Sequence, residues 1–148
     1  MRHQVIAKRT LVVILALATT VLMAVPALGG GRPLSAELSA ANEVPPPASS
    51  ASGTAHVTLN QGQGEVCVDI EAGGFEGTVV AGHIHAAPAG VNGGVVVNLF
   101  VTSADHSICV DGVDKDLIKD IRQNPWNYYI NVHSTFAPGG EIRGQLSK

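Results

Sequence analysis

From residue 54 onward, short runs in which apolar and polar residues alternate recur along the chain. Val57 and Leu59 share one face of the run 54–60, and the apolar residues of the run 65–71 likewise share one face. A period of two predicts half-buried β-strands, because successive side chains of a strand point to opposite faces. The Gln-Gly-Gln-Gly segment at 61–64 predicts a tight turn that joins these two strands in a hairpin.

The same pattern predicts about eight strands along the chain, at residues 34–39, 54–60, 65–71, 79–86, 95–102, 107–111, 126–134 and 141–146. Many short strands separated by turn signals are typical of sandwiches and barrels. We therefore expect an all-β fold, an antiparallel Greek-key-like sandwich or barrel with one short helix. The segment 42–53 is rich in proline, serine and glycine and predicts a surface connection.

The helix is predicted at residues 114–122. Asp114 is a good N-cap, basic residues stand near the end of the segment, and Pro125 follows it as a stop signal. Leu117, Ile118 and Ile121 form an apolar stripe that would pack on the strands. We expect this helix to be a structural connector without chemistry of its own.

The N-terminal segment has the order of a secretory signal peptide. Arg2, Lys8 and Arg9 precede an apolar run of about 15 residues, which ends in Val-Pro-Ala at 25–27. The run is shorter than the roughly 20 residues of a membrane-spanning helix. We expect residues 1–27 to be cleaved as a signal peptide, residues 28–33 to form a disordered lead-in, and residues 34–147 to form one domain. An uncleaved N-terminal anchor is the alternative.

The net charge of the chain restricts the kinds of partner that it can bind. The whole chain carries a net charge of −3 at pH 7, and removal of the basic signal segment makes the remainder more acidic. An acidic surface argues against nucleic acid as a partner. We expect a secreted or periplasmic protein that is monomeric or weakly associating and has no membrane span after signal cleavage. Its partner would be a protein or a cell-surface component.

The chain has two cysteines, Cys67 and Cys109. In an exported protein an even number of cysteines favours a disulfide. Each alternates with valine and isoleucine, so each projects opposite to the apolar row of its own strand, which suggests that the two strands are close in space. No Cys-x-x-Cys spacing supports a redox role.

Histidines at alternate positions raise the question of a metal site. His83 and His85 share one face of a predicted strand, and His133 lies in the row of polar and aromatic positions of another. If these two strands are neighbours, the three imidazoles form a cluster suited to copper or zinc, with a fourth position open. His56 points away from the apolar row of its own strand and is the best candidate for a fourth ligand. The alternative is structural, with histidines that hydrogen-bond the loop 86–94 and a neighbouring strand.

Other chemistry finds little support in the sequence. Glu141 and Arg143 share a strand face and predict either a buried polar network or a recognition patch, of which we favour the network. The chain has no Gly-x-Ser-x-Gly elbow, no free reactive cysteine pattern and no phosphate-binding glycine loop. We therefore expect no enzymatic activity.

Several of these segments, taken in order, resemble the CHRD domain family. They are Leu-Ser-Ala-Ala-Asn-Glu-Val-Pro at 38–45, Gly-Thr-Ala at 53–55, His-Ile-His at 83–85, Ala-Gly-Val-Asn-Gly at 89–93, Asn-Pro at 124–125, Tyr-Tyr-Ile-Asn-Val-His at 128–133 and Pro-Gly-Gly-Glu-Ile-Arg-Gly-Gln-Leu at 138–146. The resemblance implies an extracytoplasmic β-sandwich-like domain, a disulfide between Cys67 and Cys109, and no established enzymatic activity. It also places the three histidines, but not His56, in family motif positions.

The sequence supports two functional expectations. The first is an exported, non-enzymatic CHRD-type protein that acts as a binding or structural module. The second is a metal protein that binds copper or zinc through His83, His85 and His133.

Overall fold

The computed structural model describes residues 33–148. The predicted signal peptide at 1–27 and nearly all of the predicted lead-in at 28–33 lie outside these residues. Within them, eight strands and one α-helix account for the regular structure. The elements are β1 (Leu34–Ser39), β2 (Ser52–Asn60), β3 (Glu65–Gly73), β4 (Val79–Ala86), β5 (Gly94–Asn98), β6 (His106–Val110), α1 (Lys115–Gln123), β7 (Tyr128–Ser134) and β8 (Ile142–Gln145).

All eight strands form one antiparallel sheet in the order β5-β4-β7-β8-β1-β2-β3-β6, which curls into a nearly closed barrel. The expected all-β fold is confirmed, as is the hairpin of β2 and β3. The connections β3 to β4 and β5 to β6 each cross from one end of the strand order to the other. As a result, β4 and β7, which are distant in sequence, become neighbours.

The core fills the inside of this barrel with one row of side chains from each strand. Ile84 of β4, Ile130 and Val132 of β7 and Ile142 of β8 are fully buried there. Because strand side chains alternate between faces, the histidines next to Ile84 and Val132 project from the outer face. The alternation of the sequence therefore assigns the histidines to the side opposite the core.

A β-bulge in β4 interrupts that alternation. Val79 pairs with Ser134 and Ala81 pairs with His133, so two residue steps on β4 match one step on β7. An extra residue in one strand shifts the parity of the residues on either side of it. Val79 therefore packs in the core although it has the sequence parity of His83 and His85, and Val80 is exposed.

Helix α1 follows its sequence signals closely. The carboxylate of Asp114 accepts hydrogen bonds from the backbone N–H groups of Asp116 and Leu117, both at 2.9 Å. Ile118 and Ile121 are fully buried against the barrel. Among residues 33–148, no helix combines the length and the apolar character that crossing a membrane requires.

Strands β5, β7 and β8 are shorter than the alternation predicts, and a local turn explains the difference for β5 and β7. Strand β5 ends at Asn98 rather than residue 102, since the Asn98 side chain accepts a hydrogen bond from the Phe100 N–H and Phe100 adopts a φ of 50°. Strand β7 begins at Tyr128 rather than residue 126, because Pro125–Asn127 forms a 3₁₀ turn. In both places a local turn takes the backbone out of the ladder.

The two cysteines lie directly opposite each other on β3 and β6 and form a disulfide. This register requires both side chains to share one face of the sheet, as the sequence pattern predicted. The disulfide joins β6, at one end of the strand order, to its neighbour β3.

Candidate functional site

The three histidines of the predicted cluster meet on the outer face of β4 and β7. His83 pairs across the ladder with Asn131, His85 with Tyr129 and Ala81 with His133. One ring nitrogen from each histidine lies within 4.8 Å of those of the other two. The sequence alone does not show that β4 and β7 are neighbours. Their pairing brings the three histidines together.

His56 does not join this cluster. It lies on β2, where it is exposed and pairs with Ser35 and Asp69. Strands β8 and β1 separate β2 from β7 in the sheet. His56 has the outward parity that the sequence indicated, but the strand order places it elsewhere on the barrel, so the structure offers no support for a fourth ligand there.

His83 and His133 are the closest pair. Nδ1 of His83 lies 3.0 Å from Nε2 of His133, and their ring centroids are 4.9 Å apart. Two imidazole nitrogens bound to one tetrahedral zinc ion at 2.0–2.1 Å are separated by about 3.3 Å. The spacing found here is therefore close to the one that a shared cation requires.

The surrounding loops set the tautomers of two rings. Nδ1 of His85 lies 2.9 Å from the carbonyl oxygen of Gly93, and Nδ1 of His133 lies 3.0 Å from that of Pro138. A carbonyl oxygen only accepts hydrogen bonds, so each Nδ1 carries the hydrogen. Nε2 of both neutral rings therefore carries the lone pair, and that of His133 faces Nδ1 of His83.

The lone pair on His85 has no partner within the part of the chain that the structure describes. Its Nε2 is buried and makes no hydrogen bond with any residue from 33 to 148, while the His85 side chain is only 8% exposed. Buried polar atoms are nearly always paired, and each exception calls for an explanation. A cation bound among the three rings would supply the missing partner.

The site favours neutral imidazoles. Burial lowers the pKa of His83, and the neighbouring His133 and His85 lower it further. Burial also lowers the pKa of His133, although the hydrogen bond to Pro138 acts in the opposite direction. The lowered pKa values keep both imidazoles neutral at neutral pH, which is the form that binds metal.

A second layer of polar side chains covers the cluster on the β8 side. The Tyr129 ring stacks on that of His85, with centroids 4.8 Å apart and planes inclined by 12°. Arg143, only 1% exposed, places its guanidinium carbon 3.4 Å from the centroid of the Tyr129 ring.

Two further polar side chains, Glu43 and Asn131, are buried beside Gly140. Burial raises the pKa of Glu43 to about 7, although the charge of Arg143 acts to lower it.

The polar network expected around Glu141 is present. Its buried carboxylate accepts hydrogen bonds from Ser134 Oγ, from Ser49 Oγ at 2.7 Å and from the Glu76 N–H at 2.7 Å. This carboxylate ties β8 to the end of β7 and to two connecting segments. It acts on the fold rather than on the histidines directly.

The sequence pattern identifies the three histidines but not the groups that hold them. Alternation shows Tyr129 only as a neighbour in the row of His133, and the composition of the loop 86–94 indicates mainly a turn system beside the histidines. The backbone carbonyls of Gly93 and Pro138 accept the hydrogen bonds, and no pattern of side chains predicts a backbone acceptor. The sequence indicates them only through the glycine and proline residues that lie close to each histidine segment.

Comparisons with known proteins agree with this architecture. The model of the CHRD domain family matches residues 34–146, which include every strand and the whole histidine cluster. The comparisons with curated proteins and with solved structures found no match. The match covers well over half of the chain, and the chain therefore belongs to the CHRD domain family.

Proposed function

We propose that this protein is an exported CHRD module that binds one copper or zinc ion through His83, His85 and His133 and catalyses no reaction of its own. The observation that carries the proposal is the buried Nε2 of His85, which has no hydrogen-bond partner among residues 33–148, beside the close pair formed by His83 and His133. Membership of a family of non-enzymatic modules supports the binding role.

The hydrogen bonds outside the cluster support a metal more than a purely structural role. Histidines that bind metals usually donate their other ring N–H to a carbonyl or carboxylate, which sets the tautomer and the ring orientation. His85 and His133 both show this arrangement, through Gly93 and Pro138. Imidazole suits both zinc and copper, and the usual order of stability favours Cu(II) over Zn(II).

A structural role for the same histidines is the competing explanation. In it, His85 holds the loop at Gly93, His133 holds the turn at Pro138, and His83 joins β4 to β7 through His133. That explanation accounts for three hydrogen-bonded contacts but leaves the buried Nε2 of His85 without a partner in the described part of the chain. The two explanations differ in metal stoichiometry, which can be measured directly.

The proposed location is outside the cytoplasm, in the periplasm or the medium. A disulfide persists in oxidising compartments and is rare in the cytosol, and the structure has the Cys67–Cys109 disulfide. The signal-peptide pattern of residues 1–27 points the same way. As a binding module, the protein would present its bound metal to a protein or cell-surface partner rather than to nucleic acid.

The test is a titration of the metal-free, tag-free mature protein with Cu(II) and with Zn(II). We expect one ion per chain in the wild type, and loss of that ion in His133→Ala and in the half-buried His83→Ala. His56→Ala is the matched control, because it removes an exposed histidine from the same barrel and should leave the stoichiometry at one. Circular dichroism would show that each variant is folded.

The opposite result is equally clear. A folded wild type that binds neither ion at micromolar concentration would reject the metal site and leave the structural explanation. Binding that survives in His83→Ala and in His133→Ala but disappears in His56→Ala would place the metal elsewhere on the barrel.

A further inference from the structure

We propose that Arg143 is a positioning residue for the metal site, which sets the orientation and tautomer of His85 through Tyr129 and through the loop 87–93, hereafter the rim loop. This inference rests on the proposed metal binding and identifies which distant side chain controls it. Arg143 itself lies on β8 and would not bind the metal.

The first link is a stack of three side chains across three neighbouring strands. Tyr129 on β7 lies between His85 on β4 and Arg143 on β8 in the sheet order. Its ring is 4.8 Å from the His85 ring, and its centroid is 3.4 Å from the guanidinium carbon of Arg143. A planar guanidinium packs on an aromatic face in a way that a lysine ammonium does not. Arg143 thus holds the ring against which His85 lies.

The second link runs through the backbone of the rim loop. Arg143 Nη2 donates to the carbonyl oxygens of Val91 at 2.7 Å and Pro88 at 3.1 Å, and Nη1 donates to Oδ1 of Asn92 at 3.3 Å. One buried guanidinium therefore donates hydrogen bonds to three oxygen atoms of the seven-residue rim loop. A loop held at three points by a rigid fork has little freedom to change its conformation.

Gly93 passes the conformation of the rim loop to His85. Its N–H donates to the Tyr129 hydroxyl at 3.1 Å, and its carbonyl oxygen accepts from His85 Nδ1 at 2.9 Å. A Cβ on Gly93 would lie 2.8 Å from Cβ of Ala87, so the loop closes tightly at this point. Both links from Arg143 thus end on the same imidazole, one on its face and one on its Nδ1.

If Arg143 is lost, the rim loop is released and the carbonyl of Gly93 no longer faces His85 Nδ1 in one fixed geometry. The hydrogen could then move to Nε2, which would block the lone pair that is proposed to bind the metal. Residues that orient metal-binding histidines typically change metal affinity by about 10- to 100-fold when mutated. We expect a loss in this range.

The experiment compares Arg143→Lys with the wild-type mature protein. Arg143→Lys keeps the charge but removes the fork and the planar stack. We expect Cu(II) affinity, measured by competition with a chelator, to fall about 10- to 100-fold. The Cu(II) electron paramagnetic resonance spectrum should change, and the ¹⁵N shifts of His85 in the metal-free variant should no longer indicate a single Nδ1–H tautomer.

Two further variants make the test specific. Arg122→Lys changes an exposed arginine whose side chain contacts Gln61, and it should leave affinity, spectrum and tautomer unchanged. Tyr129→Phe keeps the aromatic ring but removes the acceptor for the Gly93 N–H, so it should show a smaller shift in the same direction. If Arg143→Lys does not fold, Arg143→Gln, which also removes the fork that contacts the rim loop at three points, is measured in its place.

A folded Arg143→Lys protein with wild-type Cu(II) affinity, spectrum and His85 tautomer would overturn the inference, even if its thermal stability were lower. If the wild type binds neither Cu(II) nor Zn(II), the proposed function fails, but the tautomer measurement on metal-free protein still decides whether Arg143 positions His85.

Discussion

Gly140 approaches Asn131 so closely that a Cβ on Gly140 would lie 2.7 Å from the side-chain nitrogen Nδ2 of Asn131. Gly140 also has a φ of +133°, a conformation that residues with side chains rarely adopt. It belongs to the turn that joins β7 to β8 and presents the Pro138 carbonyl to His133. The absence of a side chain at Gly140 therefore supports the position of His133.

Gly140→Ala should consequently destabilise the protein by about 2 kcal/mol or more, since it combines overpacking with an unfavourable φ. The free energy of unfolding from urea titration is the measurement. Gly139→Ala is the matched control, because nothing lies within 4 Å of a Cβ at that position, and it should change stability by less than about 0.5 kcal/mol. Equal stabilities of the two variants would contradict the argument.

Glu141→Gln should be strongly destabilising at neutral pH, by about 2–4 kcal/mol, because the charged form of the buried carboxylate accepts three hydrogen bonds. Burial raises the pKa of Glu141, but the hydrogen bonds from Ser134, the Glu76 N–H and Ser49 outweigh it and leave the pKa lowered.

A lowered carboxyl pKa has a definite pH signature. The stabilisation is fully present above the unfolded-state pKa of about 4.3 and is lost as the pH falls through the lower pKa of the folded state. The difference in unfolding free energy between wild type and Glu141→Gln should therefore shrink below about pH 4. The exposed Glu71→Gln is the control, and a gap of constant size down to about pH 2 would refute the assignment.

The histidines predict a second loss of stability on acidification of the metal-free protein, at higher pH than that of Glu141. Burial and the mutual proximity of the rings lower the pKa values of His83 and His133, so between these values and about 6.5 the unfolded chain binds more protons than the folded one. Stability should fall as the pH drops below about 6.5. In the double variant His83→Gln/His133→Gln, melting temperatures between about pH 7 and 5 should depend less on pH, whereas His56→Gln should retain the wild-type slope.

The disulfide should contribute about 4 kcal/mol, the chain-entropy value for cysteines 42 residues apart. The variant Cys67→Ser/Cys109→Ser should lower the unfolding free energy by about this amount and abolish the effect of a reducing agent on the melting temperature. Its Cu(II) stoichiometry should stay at one, because β3 and β6 do not carry the histidine cluster. A loss of metal binding in this variant would mean that the cluster depends on the far side of the barrel.

Local sequence signals predicted most of the fold. Alternation located all eight strands, the turn residues at 61–64 predicted the hairpin of β2 and β3, and Asp114 and Pro125 bounded the helix to within a residue or two. These features depend on backbone preferences and on the burial of one strand face, which neighbouring residues determine. The same parity argument predicted that the two cysteines could meet.

The candidate site was only half predictable, for a physical reason. His83 and His85 share a face because of strand geometry alone, but their approach to His133 depends on the pairing of β4 with β7. His56 shows the limit of parity, since it points outward as predicted yet lies on a strand that the sheet order separates from the cluster. The bulge at Val79 likewise depends on the pairing of β4 with β7, and the sequence of neither strand predicts it.

The amino-acid sequence by itself determined the strands, their buried faces, the helix and the outward parity of the histidines, because each of these depends on interactions within a few positions of the chain. The tertiary structure alone decided which histidines meet, which carbonyls set their tautomers and how Arg143 reaches His85. Those relationships join β4, β7, β8 and the rim loop, and they exist only once long-range pairing has brought these segments together.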